Sequence, residues 1–127
     1  MRRLFNIAAI AVLALTAMSC QPSLIGEWHH VKTEYYVKGE LDEVEQSDAD
    51  WVLCFQENGL GYQFEYGGED SMYWLCKGDT LYIDDDPIKD LERAGCARIK
   101  SLDKKELHLE RKRRFNRSAV YIFQRVK

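Results

Sequence analysis

The sequence has little of several features that define well-known protein classes. It contains only 2 prolines and 8 glycines, while charged residues make up 31% and aromatic residues 12% of its 127 positions. This composition excludes a collagen-like, low-complexity or wholly disordered chain. The formal net charge of -3 gives no general argument for nucleic-acid binding. The length fits one domain and hardly two.

The motifs of common catalytic and nucleotide-binding classes are also missing. The chain has neither Gly-x-x-x-x-Gly-Lys nor Gly-x-Gly-x-x-Gly, and no Ser, Cys or His lies in a recognisable nucleophile motif. The cysteine spacings match no zinc site, and the adjacent His29 and His30 point to opposite faces of a strand. We therefore expect no catalytic residue, no metal site and no cofactor, and we predict that the protein is not an enzyme.

A long apolar run occurs only at the N terminus. Residues 1–3 include two arginines, and residues 4–17 are almost wholly apolar. This run is shorter than the roughly 20 residues that a bilayer-spanning helix needs. A basic start, an apolar segment and small residues before a cleavage position are typical of a secretory signal. We predict a signal peptide over residues 1–19, with a retained N-terminal anchor helix as the alternative.

The residues around the predicted cleavage position resemble the bacterial lipobox. Residues 17–19 read Ala-Met-Ser and are followed directly by Cys20. The resemblance implies cleavage before Cys20, lipidation of that residue, a short tether over residues 20–25 and a folded domain over residues 26–127. Lipidation with two or three acyl chains gives stable anchoring, because each buried methylene contributes about 0.8 kcal/mol. The implied location is the bacterial cell envelope, at the outer membrane; plain secretion with an ordinary Cys20 thiol is the alternative.

The remaining cysteines do not define a disulfide framework. Besides Cys20 the chain has Cys54, Cys76 and Cys96. Three is an odd number, so at least one of these thiols stays unpaired within a monomer. One disulfide is compatible with an oxidising compartment. The alternative is that they are small buried apolar side chains in strands, above all Cys76.

Charge is distributed unevenly along the chain. Residues 20–92 carry 4 basic and 18 acidic side chains, whereas residues 93–127 carry 12 basic and 3 acidic ones. The run Arg111, Lys112, Arg113 and Arg114 lies in or beside the hairpin that joins the last two predicted strands. It is a candidate surface for an acidic partner, glycan acids or anionic lipid head groups. The alternative is a solvated hairpin tip, or pairing with the acidic stretch of residues 40–50.

Short alternating segments recur between turn signals along the whole mature chain. They indicate strands at residues 24–37, 51–55, 60–66, 72–76, 80–83, 97–102, 106–112 and 119–126, and residues 39–50 have the composition of a loop. Asn58-Gly59 is a typical hairpin turn. Many short strands with tight turns predict an all-β fold, an antiparallel up-and-down β-barrel of about eight strands. A barrel of that size is either filled by side chains or holds one small ligand.

Aromatic side chains are the candidates for a ligand-lined interior, because they can form an apolar wall with polar groups at the edge. The alternative for each is that it simply fills a small barrel. The candidate lining residues are Trp51, Phe55, Tyr62, Phe64, Trp74, Tyr121 and Phe123.

The chain resembles small bacterial lipoproteins with a lipocalin-like (calycin) domain. The resemblance rests on Gly26-Glu27-Trp28 near the start of the first strand, on a basic residue in the last strand, Arg125, and on the hairpins between them. It implies that Trp28 closes one end of the barrel and that Arg125 packs across its ring. A cation–π contact of this kind contributes about 0.5 to 2 kcal/mol.

These observations predict a lipid-anchored envelope protein whose lipocalin-like barrel binds a small apolar or amphipathic ligand. Its other partner would be the membrane, through the lipid anchor, and no nucleic acid. The alternative is a packed barrel that acts as a protein- or polysaccharide-interaction module through its outer loops and basic hairpin.

Overall fold

The computed structural model describes residues 24–47, 50–65, 67–84 and 96–126. The predicted signal peptide, Cys20 and most of the predicted tether lie outside these residues. The described part of the chain contains nine strands: β1 Gly26–Val37, β2 Glu40–Gln46, β3 Val52–Phe55, β4 Leu60–Glu65, β5 Gly68–Lys77, β6 Thr80–Asp84, β7 Cys96–Leu102, β8 Glu106–Arg113 and β9 Arg117–Arg125. Among the same residues, no helix is long and apolar enough to cross a membrane.

Eight of these strands form a closed antiparallel barrel. Strands β3 to β9 follow one another around the sheet, β1 pairs with β3, and β9 pairs back with β1. Sequence neighbours therefore lie side by side, which is the order of an up-and-down barrel. The predicted all-β class and eight-stranded barrel are confirmed, and the fold is consistent with a calycin-like barrel.

The ninth strand, β2, lies where a loop was expected. We expected a loop at residues 39–50 because acidic residues have low β-propensity, but Glu40–Gln46 pairs with the second half of β1. The pairing is available because only the first half of β1, from Gly26 to His29, pairs with β3. All seven side chains of β2 are exposed, so no apolar alternation marks this strand in the sequence.

The interior of the barrel is packed with large apolar side chains over much of its length. Trp74 lies among them, and its indole Nε1 donates hydrogen bonds to the carbonyl oxygens of Gln56 at 3.0 Å and Leu60 at 2.7 Å. These bonds satisfy the one polar atom of the Trp74 ring, as burial requires. The core cluster consists of Leu24, Trp28, Leu53, Phe55, Met72, Trp74, Cys76, Leu81, Leu107, Leu109 and Phe123.

Candidate functional site

One end of the barrel is closed by Trp28 and Arg125. Trp28 is fully buried, and its Nε1 donates to the carbonyl oxygen of Leu24 at 2.8 Å. The guanidinium carbon of Arg125 lies 4.3 Å from the centroid of the Trp28 ring. Arg125 also donates to the carbonyl oxygens of Ile25 at 2.8 Å and Lys104 at 3.0 Å. The packing implied by the resemblance is present, and these contacts define the closed end of the barrel.

The opposite end of the barrel contains a cavity. Its volume is about 230 Å³, and it lies between the first residues of β3 and the facing parts of β4 and β6 to β9. At roughly 30 Å³ per liquid water molecule, this space equals seven or eight waters. It is smaller than the roughly 300–1,000 Å³ of most drug-sized ligand pockets. The lining residues are Trp51, Leu53, Gln63, Leu81, Ile83, Cys96, Ala97, Leu109, Arg111 and Tyr121.

The cavity has apolar walls and a few polar groups. Arg111 supplies a positive charge, and Gln63 supplies an amide. Trp51 packs with its ring centroid 5.0 Å from that of Phe123 and 5.5 Å from that of Tyr121. Its buried Nε1 has no hydrogen-bond partner among the described residues. Leaving a buried N–H unpaired is energetically costly.

Of the seven aromatic residues predicted to line the interior, only Trp51 and Tyr121 line this cavity. Phe55, Trp74 and Phe123 are buried in the core instead, with exposed fractions of 1%, 4% and 0%. They fill the barrel between the cavity and the closed end.

The prediction that Tyr62 and Phe64 line the interior is wrong. They pair with Cys54 and Val52, whereas their neighbour Gln63 pairs with Leu53 and lines the cavity. Directly paired residues share a face and successive residues alternate, so Tyr62 and Phe64 lie on the outer face. Their ring centroids are 5.4 Å apart in an edge-on contact.

The outer face of β3 and β4 also holds a free thiol. Hydrogen bonding between Cys54 and the Tyr62 hydroxyl, followed by the charge interaction of the same two groups and by burial, raises the pKa of Tyr62 to about 12. Tyr62 therefore stays a neutral phenol at physiological pH. Cys54 and Cys96 are both free, and Cys76 is buried in the core. Among the described residues, no group of three or more His, Cys, Asp or Glu side chains is placed to hold a metal ion.

The basic run at the end of β8 does not form one surface. Arg111 follows Leu109 by two positions, so the two side chains lie on the same face of β8. Their partners in β9, Ala119 and Tyr121, are likewise two positions apart. It therefore lines the cavity, but its side chain is also exposed, and its role in a partner surface stays a prediction. Lys112 projects from the opposite face, and Arg114 lies in the exposed turn after β8.

Arg113 contributes to a groove beside the cavity. Its guanidinium lies 5.5 Å from the centroid of the Tyr35 ring and donates to the Tyr121 hydroxyl at 3.3 Å. The hydrogen bond to Tyr121 raises the pKa of Arg113 above its usual value, and burial raises the pKa of Tyr35. The groove has a volume of about 300 Å³ and is lined by Tyr35, Tyr36, Val37, Asp42, Glu43, Glu45, Arg113, Arg117 and Ser118.

Several cavity residues were not predicted from the sequence. Strand alternation could have predicted two of them. Leu53 shares a face with Trp51 and Phe55, and Leu109 shares a face with Leu107. Arg111 follows Leu109 by two positions and could have been placed inside by the same argument. Gln63 and Ile83 had no separate signal, because their place depends on which face of β4 and β6 turns inward.

The fold and the cavity together define a small antiparallel β-barrel that is closed at one end and has a partly polar cavity at the other. No protein-family model, curated protein or solved structure matches this chain. Its function is therefore argued from its own residues.

Proposed function

We propose that this protein is a lipid-anchored binding protein of the bacterial cell envelope. Its barrel would take up a small apolar or amphipathic molecule through the open end. The observation that carries the proposal is the cavity of about 230 Å³ with an apolar wall and a cationic side chain. This combination of apolar walls with a few polar groups is typical of small-molecule sites.

The size of the cavity limits the ligand. The apolar contact extends over a space of about seven or eight water molecules and is provided by Leu53, Leu81, Ile83 and Leu109. A compact molecule, or the end of a longer chain, fits this volume. Burying its surface would contribute about 25 cal/mol for each Å² of apolar area removed from water.

The polar groups of the cavity favour a ligand that accepts hydrogen bonds. The Arg111 guanidinium offers donors and no acceptor. A carboxylate, sulfonate or phosphate at the polar end of the ligand would pair with the guanidinium, and bonds to charged groups are stronger than neutral ones. We therefore expect an anionic amphiphile to bind better than a neutral one of equal size.

A first test is native mass spectrometry of the full chain, purified in mild detergent from a bacterial envelope and followed by organic extraction. We expect one small apolar or amphipathic molecule per chain, released by the solvent. A mass equal to that of the protein alone in every preparation, together with no uptake of added anionic amphiphile, would contradict the proposal.

A charge reversal tests the role of Arg111. The Arg111→Glu variant should bind the anionic probe 1-anilinonaphthalene-8-sulfonate at least about tenfold more weakly, because one bond to a charged group contributes about 1.5–3 kcal/mol. The measurement is a fluorescence titration of the full chain. Lys105→Glu is the matched control, since Lys105 lies in an exposed turn near the closed end. Equal affinities in the two variants would exclude Arg111 from the site.

The anchor is tested separately. In cells supplied with an alkyne-labelled fatty acid, the wild-type chain should carry the label and sediment with the membranes, while Cys20→Ala should lose both properties. Cys54→Ala is the control, because Cys54 is the free thiol of a barrel strand. Label retained in Cys20→Ala would show that Cys20 is not the lipidated residue. This outcome would leave the cavity proposal standing.

A further inference from the structure

Two hairpin turns meet at the open end of the barrel and form one exposed projection. Lys38 lies in the turn between β1 and β2, and residues 114–116 form the turn between β8 and β9. The backbone N–H of Lys38 donates to the carbonyl oxygen of Asn116 at 2.8 Å, which fixes the two turns side by side. We call Lys38, Lys112, Arg114 and Phe115 the distal tip.

Phe115 occupies the end of this projection in an unfavourable state. Its side chain is 84% exposed, the largest exposed fraction among the exposed large apolar side chains of the described residues. Its φ of 60° is in the left-handed region, and the φ of the following Asn116 is 56°. Bulky L residues rarely adopt this conformation, and Gly, Asn or Asp is usual there. Phe115 therefore combines backbone strain with an exposed apolar side chain. Strained positions of this kind are typical of functional sites.

The charge around Phe115 is positive. Lys38, Lys112 and Arg114 are all exposed. Arg113 and Arg117 are near as well, but they line the groove that also contains Glu43 and Glu45. We count only the first three as charges available to an external surface.

We propose that the distal tip docks on an anionic lipid bilayer, with Phe115 inserted between head groups and the basic side chains paired with lipid phosphates. Aromatic side chains are favoured at the membrane interface, where apolar and polar surroundings meet. Each Lys or Arg close to an anionic leaflet strengthens the attraction. The arrangement supplies both contributions at one point of the surface.

The shape of the tip favours a bilayer over a protein partner. A stable protein interface buries about 800 Å² on each side and centres on a cluster of packed anchors. Here one aromatic side chain stands on a narrow turn, and its neighbours are charged. A fluid interface needs no complementary pocket, so the inserted ring and the three cations contribute to reversible docking without one.

The first experiment locates the contact on the full chain. In Phe115→Trp, the new indole should be quenched by phosphatidylglycerol vesicles with brominated acyl chains and not by brominated phosphatidylcholine vesicles. Lys104→Trp is the matched control at the closed end, where the Lys104 carbonyl accepts a bond from Arg125. The signal of the unsubstituted chain is subtracted from both. Quenching of the indole at position 104 alone would mean that the N-terminal apolar segment makes the contact, and this would overturn the proposal.

The second experiment separates insertion from charge. In the Cys20→Ala background, which lacks the proposed lipid anchor, Phe115→Gly should weaken sedimentation with phosphatidylglycerol vesicles about tenfold, the factor for withdrawing one Phe from apolar surroundings. Its melting temperature should be unchanged or higher, because glycine adopts a positive φ freely. Lys112→Glu with Arg114→Glu should weaken binding at least about 25-fold, whereas Lys104→Glu with Lys105→Glu should change it less than twofold.

Two results would contradict the docking proposal. Equal binding of Phe115→Gly and the wild type would reduce the contact to plain charge attraction. Capture of a soluble acidic protein without any affinity for phosphatidylglycerol vesicles would make the tip a protein-binding site instead.

Discussion

Replacing Trp28 with alanine is expected to lower the free energy of unfolding by about 3–5 kcal/mol, the range for removing a large aromatic side chain from a core. Trp28 has no exposed surface and holds three features together. Its Nε1 bonds to Leu24, its ring supports Arg125, and it pairs with Leu53 in the sheet. Alanine would leave a void under the Arg125 guanidinium and open the closed end.

The measurement for Trp28→Ala is denaturant unfolding monitored by circular dichroism. Trp51→Ala is the matched control, because Trp51 is only partly buried and already borders a cavity. We expect it to cost clearly less, since less new void is created. Arg125→Gln removes the cation–π contact together with the hydrogen bonds to Ile25 and Lys104, so it should cost more than the about 0.5–2 kcal/mol of the cation–π contact alone. A loss below about 1 kcal/mol in Trp28→Ala would contradict the assignment of Trp28 as the closing residue.

Gly61→Ala should be the second most damaging change, although it adds only a methyl group. A Cβ atom at this position would overlap the carbonyl oxygen of Cys54 and lie 2.9 Å from the Cε atom of Met72. The first obstacle is backbone, so strands β3 and β4 must separate where they pair. We expect a destabilisation of about 3 kcal/mol or more, at the upper end of overpacking effects.

Gly68→Ala is the control for Gly61→Ala. A Cβ atom there would have its nearest neighbour, the carbonyl oxygen of Glu65, at 3.6 Å, an ordinary contact. The change in its free energy of unfolding should stay within about 0.5 kcal/mol, as for a surface substitution. Similar losses in the two variants would show that the close approach of β3 and β4 at Gly61 is relieved without cost.

The strands of the barrel were predictable because each carries a local signal. Alternation and Asn-Gly or Gly-Asp turns mark the ends of β3, β5 and β6 without reference to the rest of the chain. β2 carries no such signal, since all its side chains face solvent and only the length of β1 creates its place. β2 forms because it can pair with β1, and its own run of mostly acidic residues does not predict a strand.

The interior was harder to predict than the strands. Alternation places Tyr62 and Phe64 on one face of β4 but does not say which face turns inward. The inward face of β4 is the one with Gly61 and Gln63, because these residues pair with the buried Phe55 and Leu53 of β3. Glycine at position 61 allows β3 and β4 to approach closely. The need for glycine there depends on the paired strand, so β4 alone does not show it.

The contact of Trp28 with Arg125 was predicted by resemblance alone, because the two residues lie 97 positions apart and no local pattern connects them. Arg111 illustrates the opposite case. As one of four consecutive basic residues it is typical of a surface, and it is exposed, but alternation along β8 also places it beside the cavity. A run of like charges in a strand is divided between two faces, and composition alone does not show which residue borders the cavity.

The cavity mouth and the distal tip lie at the same end of the barrel, because Arg111 and Arg114 are three positions apart on the same hairpin. β1, with 12 residues, extends about 40 Å from the closed end to this end, or about 30 Å along the axis of a tilted barrel. A lipid at Cys20 would therefore hold the mouth away from the anchoring leaflet. A tip docked on a second bilayer would press the mouth against that surface, and a ligand could pass between the lipid and the cavity without crossing water. The protein would then serve as a short bridge that loads and unloads at its far end.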